Sequence, residues 1–115
     1  MNFDVEKIDD AIVFRLREPR LDAEISGLVK REVAEAIRKN DAGKLAIDLT
    51  SVESCDSSGL GALLVAHRLA AAAKGVAVFV GVSERLLKLL EITRLDQLLT
   101  LAPSESEAMK ILKGE

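Results

Sequence analysis

The chain has no tryptophan or tyrosine, three phenylalanines, two prolines and one cysteine. Without aromatic platforms it is poorly equipped to stack on bases or sugars, and aliphatic side chains must build its core. A lone cysteine forms no internal disulfide, and Cys55 with the one histidine, His67, leaves zinc without a ligand set. The expectation is a reduced, cytoplasmic protein with no metal and no cofactor. Positive charge is also short: 16 Lys and Arg against 19 Asp and Glu give a net charge of -3, with no basic cluster to meet nucleic acid. No apolar run approaches membrane-spanning length, and residues 1–7 lack the basic start and apolar stretch of a secretion signal. Neither membrane insertion nor export is expected.

What is present is a chain of 115 residues, 49% hydrophobic and 30% charged. That is enough for one domain over residues 1–115 with a real core, and too little for two. Phe3 and Val5, then residues 11–16, flank Ile8-Asp9-Asp10, which predicts an N-terminal hairpin with a marginal first strand. Pro19 ends the second strand because it lacks the ladder donor. Asp22 is the expected cap of a helix running to about Arg38, with Ile25, Leu28, Val29, Val33, Ala36 and Ile37 as its apolar stripe. A buried strand follows over residues 45–49.

The next segment carries the chain's most conspicuous chemistry. The polar run after Leu49 forces a turn, and Leu60, Leu63, Leu64, His67 and Ala71 then recur at helical spacing. Asp56, Ser57 and Ser58 therefore fall in the first turn of a helix, at the carboxyl end of a strand. Open α/β sheets display functional groups there. Gly59 and Gly61 are expected to let another group approach closely. This helix has a second apolar stripe, Gly61, Val65, Leu69 and Ala72, which is covered by neighbouring helices or left for a partner such as a second copy. Gly75 is the expected left-handed cap that closes it.

Residues 76–80 are apolar throughout, as a strand inside a sheet should be. Ser83 caps a helix over residues 84–92, a short last strand is expected near residues 99–101, and Ser104 with Glu107 fits a capping box before a final helix. Alternating strands and helices predict an α/β fold: a mixed, mostly parallel sheet of four to five strands with an N-terminal hairpin and about four helices.

Three chemistries compete for the Asp56-Ser57-Ser58 turn. A serine hydrolase needs a base, and His67 sits on the same helix about 15 Å along the axis at 1.5 Å per residue. Neither hydroxyl lies in a Gly-x-Ser-x-Gly elbow. A nucleotide site would need a third glycine where Leu64 stands, or a Gly-Lys-Ser/Thr loop, and Asp56 would repel a phosphate. The third reading is a hydroxyl that accepts phosphate from another enzyme. Its added charge of about -1.5 to -2 suits a helix N-terminus and opposes a docked partner.

The run Leu45-Ala-Ile-Asp-Leu-Thr-Ser-Val-Glu-Ser-Cys-Asp-Ser-Ser-Gly-Leu-Gly-Ala-Leu-Leu64 resembles the signature of STAS domains, in particular bacterial anti-sigma factor antagonists. The likeness covers most of the chain from Leu21 onward. It implies a non-enzymatic phosphoprotein that takes part in partner switching and transcription regulation. Ser57, directly after the motif Asp56, is the implied phosphorylation site, and Asp22, Asp56, Ser57, Ser58, Gly59, Leu60 and Gly61 are the implied partner-binding residues. The implied partners are an anti-sigma factor serine kinase, bound by the unmodified form so that a sigma factor is released, and a PP2C-type phosphatase. A STAS docking subunit of a lipid-transport or stressosome-like complex is the alternative. Two departures stand out: Glu18-Pro19-Arg20-Leu21-Asp22 lacks the glycine the family commonly has before its first helix, and Cys55 replaces a larger apolar residue. Cys55 is expected to be a small buried side chain.

Overall fold

The fold was described with a computed structural model, which covers residues 1–114. Glu115, the last residue of the expected domain, lies outside the described residues. In chain order the elements are β1 (Phe3–Ile8), β2 (Ala11–Leu16), β3 (Arg20–Leu21), α1 (Ser26–Asn40), β4 (Lys44–Asp48), β5 (Ser54–Cys55), α2 (Ser57–Ala72), β6 (Val76–Val80), α3 (Glu84–Ile92), β7 (Thr100–Ala102) and α4 (Glu105–Leu112). A single 3₁₀ turn, Leu95–Gln97, separates α3 from β7.

Five strands form one sheet in the order β1-β2-β4-β6-β7, in which β1 is antiparallel to β2 and every other neighbour is parallel. The expected hairpin is present, its turn made by Asp9 in the left-handed region at φ 56°. Asp tolerates that conformation better than most residues. Phe3 stacks on Phe14 across the hairpin with ring centroids 5.1 Å apart, which anchors the weaker first strand.

Strand periodicity divides the core between the two faces of the sheet. Ile12, Phe14, Leu45, Ile47, Ala77 and Phe79 face one side, where they meet Val29, Val33 and Ala36 of α1, Leu60, Leu63 and Ala66 of α2, and Leu86 and Leu90 of α3. Ala11, Val13, Ala46, Val78 and Val80 face the other, under Ala108 and Leu112 of α4. Covered on both sides, β6 has no position for a polar side chain, which accounts for its unbroken apolar run.

Several local expectations are corrected. Asp22 does not cap α1: the helix starts after Ile25 with no side-chain cap, and Asp22 Oδ1 instead accepts from the Glu24 N–H at 3.0 Å in a turn ahead of it. The left-handed residue closing α2 is Lys74, at φ 63°, not Gly75. Gly75 is needed for a different reason: a Cβ there would lie 2.1 Å from the Gly43 carbonyl oxygen. The last strand falls one residue later than expected, at Thr100–Ala102. Ser104 Oγ accepts from the Glu107 N–H at 3.2 Å, the first half of the expected capping box. The buried face of α2 is Gly59, Leu60, Ala62, Leu63, Ala66 and Ala70. Leu64, Val65 and Leu69 are half-buried while Ala71 and Ala72 are exposed, so the second stripe is not a broad bare apolar surface.

Candidate functional site at the start of helix α2

Two strands of two residues each, missed in the sequence, build the site. Residues 20–21 and 54–55 are too short to show a period, yet β3 and β5 pair in parallel, Arg20 opposite Ser54 and Leu21 opposite Cys55. The Glu53 and Ser54 N–H groups both donate to the Pro19 carbonyl, at 2.8 and 3.2 Å, and the Asp56 N–H donates to the Leu21 carbonyl at 3.3 Å. The loop that leads into α1 is thereby laid alongside the turn that opens α2.

Asp56 closes this clasp with both carboxylate oxygens. Oδ1 accepts from the Gly59 N–H at 2.9 Å and so caps α2, while Oδ2 accepts from the Ala23 N–H at 3.2 Å in the neighbouring loop. Gly59 is what lets the two segments touch: a Cβ there would stand 2.2 Å from the Leu21 carbonyl oxygen and 2.6 Å from Cys55 Sγ. Gly61 has open space at the same position, so the expected close approach within the molecule occurs at Gly59 alone.

The sequence-predicted site residues sort by depth. Asp56 and Ser57 are exposed; Asp22, Ser58 and Gly61 are half-buried; Gly59 and Leu60 are buried. Leu60 is 9% exposed and belongs to the main core, so it shapes the site from beneath. Ser57 is the first residue of α2, and Asp56 supplies the side-chain cap of the first turn. The Ser57 hydroxyl is therefore not needed to hold the helix. Asp22 is brought beside this turn through β3.

Cys55 is half-buried, not fully buried as expected, and packs against the core. Burial first, and then the Asp56 charge, push its thiol up to about 11, so it is not a thiolate nucleophile near neutral pH. His67 lies ten residues beyond Ser57 in the same helix, which keeps it from acting as a base for that hydroxyl. No group of three or more His, Cys, Asp or Glu side chains among the described residues is arranged to hold a metal ion.

A second polar cluster, which the sequence reading did not identify, surrounds Arg15 on the opposite face of the sheet. Arg15 reaches Glu105 with two nitrogens, at 2.7 and 2.9 Å, Asp4 at 2.9 Å and Glu6 at 2.9 Å. The guanidinium is held above its ordinary value, chiefly by Glu105. Asp48 stands next to Arg15 in the β2–β4 register, and Thr50 donates to it from its backbone N–H at 2.9 Å and from its hydroxyl. Burial pushes the Asp48 carboxyl up, but its contacts with the Glu105 side chain and Thr50, together with the Arg15 charge, leave it below the ordinary value. The signal in the sequence was a single arginine in an apolar strand beside a strand with alternating acids.

This α/β domain sets an exposed hydroxyl at the start of a capped helix. The STAS domain family model matches residues 2–108, and the chain belongs to that family, a non-enzymatic module. A protein of Thermotoga neapolitana, provisionally named as an anti-sigma factor antagonist, is 28% identical over 108 residues, covering 94% of this chain and 96% of that one. The crystal structure of a Thermotoga maritima protein with the same provisional description superposes with a TM-score of 0.84 at 25% identity, covering 96% and 94% of the two chains. The Bacillus cell fate determinant SpoIIAA, solved in its phosphorylated form, shares the fold with a TM-score of 0.70 at 23% identity over 95% of this chain and 97% of that one. The mixed five-stranded sheet with its N-terminal hairpin and four helices is the STAS fold.

Proposed function

We propose that this chain, as a single STAS domain working in the cytoplasm, is an anti-sigma factor antagonist switched by phosphorylation of Ser57. Unmodified, it binds an anti-sigma factor serine kinase and thereby frees a sigma factor. The kinase transfers phosphate to the Ser57 hydroxyl and the complex separates; a PP2C-type phosphatase restores the binding form. The observation that carries this reading is the division of labour at the start of α2. Asp56 does the capping, and Ser57 stands exposed beside it with its hydroxyl free for an incoming enzyme.

The physical consequences follow from position. A dianion at the first residue of a helix is favoured by the macrodipole by about 0.3–1 kcal/mol, so the fold survives modification. Across an interface, like charge costs several kcal/mol, and about 2.8 kcal/mol is already a hundredfold in affinity. The names of the Thermotoga relatives support the assignment, and a phosphorylated SpoIIAA shows that this fold carries the modification in a relative.

The test is incubation with ATP and a cognate anti-sigma factor serine kinase, followed by mass-spectrometric mapping. Phosphate is expected on Ser57 in the wild type and in Ser58→Ala, and absent in Ser57→Ala. Ser57→Asp is expected to bind the kinase at least about tenfold more weakly with an unchanged melting temperature. Phosphate on another residue, or equal binding by Ser57→Asp and wild type, overturns the reading.

A further inference from the structure

A groove of about 420 Å³ runs between β5 and α3, next to the strand that leads into the turn bearing Ser57. One wall is Ser54 and Cys55, the two residues that lead into Asp56 and Ser57. The other is one face of α3: Arg85, Lys88, Leu89 and Ile92, spaced at i, i+3, i+4 and i+7. The helix puts two cations and two apolar side chains on a single stripe.

Two features meet on this stripe. Ile92 is 79% exposed, the most exposed of the large hydrophobic residues among the described ones. Arg85 and Lys88 have no carboxylate within 4.0 Å among the described residues, a state they share with other surface cations such as Lys7 and Lys39, but here the two flank a bare isoleucine. In a chain of net charge -3, cations left unpaired around a bare apolar side chain are complementary to an apolar segment that carries acid groups.

We propose that the β5–α3 groove is a second docking surface for the protein that docks at Ser57, and that it takes an acidic amphipathic segment of that partner. The inference rests on the reading of Ser57 given above. The partner's apolar side chain covers Ile92 and Leu89, and its carboxylates meet Arg85 and Lys88. Continuity decides for the same partner, because Ser54 and Cys55 belong at once to the groove and to the clasp that positions the serine.

The experiment measures binding of the purified serine kinase by calorimetry at two ionic strengths. Arg85→Glu/Lys88→Glu is expected to weaken binding about tenfold and to flatten its salt dependence, and Ile92→Ala to weaken it about fivefold. As a control, Lys7→Glu/Lys39→Glu reverses two cations in the groove between β1 and α1, at the other end of the sheet, and is expected to leave binding within about twofold. All the substituted side chains are exposed, so melting temperatures should match wild type. Wild-type binding by the α3 variants, or an equal loss in the control pair, overturns the groove. If Ser57→Asp alone weakens binding, the groove falls and the switch stands; if neither does, both fall.

Discussion

Helices α2 and α4 lie on opposite faces of the sheet, and their first turns make opposite use of similar groups. At α4, Glu105 is forked by Arg15, and the same guanidinium gathers Asp4 and Glu6 while Asp48 closes the cluster with Thr50. At α2, Asp56 satisfies the backbone of its own helix and of the neighbouring loop, and Ser57 is left over. The first arrangement consumes its polar groups and fixes a helix on the sheet. The second fixes its backbone just as firmly but keeps one hydroxyl unspent, which is what an outside enzyme requires.

The largest effect should come from the glycine that makes the open site rigid. Gly59→Ala is expected to lose about 3 kcal/mol in urea denaturation, because its Cβ collides with the Leu21 carbonyl. Gly61→Ala, where a Cβ meets nothing within 4 Å, should gain about 0.5–1 kcal/mol. Equal effects at the two positions would mean that the clasp does not hold the α2 start.

Next comes the closed site. Arg15→Met is expected to cost about 2 kcal/mol, since four carboxylates lose their shared cation. The pH dependence should also weaken. In the wild type the lowered Asp48 contributes stability that is present above its unfolded pKa of about 3.9 and is lost as the pH falls through the folded value. In Arg15→Met one of the influences that hold Asp48 down is gone, so less stability should be lost on acidification through that range. Parallel acid denaturation curves would break the distinction drawn between the two helix starts.

The smallest effects separate the two residues of the open site. Asp56→Ala should lose about 1–2 kcal/mol through the cap and the bond to Ala23. Ser57→Ala should stay within about 0.5 kcal/mol of wild type by thermal denaturation. A comparable loss at Ser57 would show that its hydroxyl supports the helix and is not free.

The long elements were legible because their cores are periodic: α1 from Val29, Val33 and Ala36, β6 from its unbroken apolar run, and the α2 start from Asp56 followed by small residues. What escaped is decided by partners distant in the chain. β3 and β5 exist only through pairing with each other, and the Arg15 cluster joins residues that a linear reading keeps apart by as many as 90 positions. Asp22 misled because an aspartate that opens a turn and one that caps a helix look alike in sequence, and here a turn was inserted before α1. Gly75 misled in the same way, since a glycine required for a close approach resembles one required for a left-handed backbone.

The clasp between β3 and β5 also limits how this surface can be altered. Ala23 and Asp56, 33 residues apart, are joined by a single hydrogen bond just beyond a two-residue ladder, so lengthening either loop by one position would shift its register and lose the whole set of contacts. Insertions and deletions are thus a closed route to new specificity here, and a different recipient must be accommodated by exchanging side chains on a backbone of constant length.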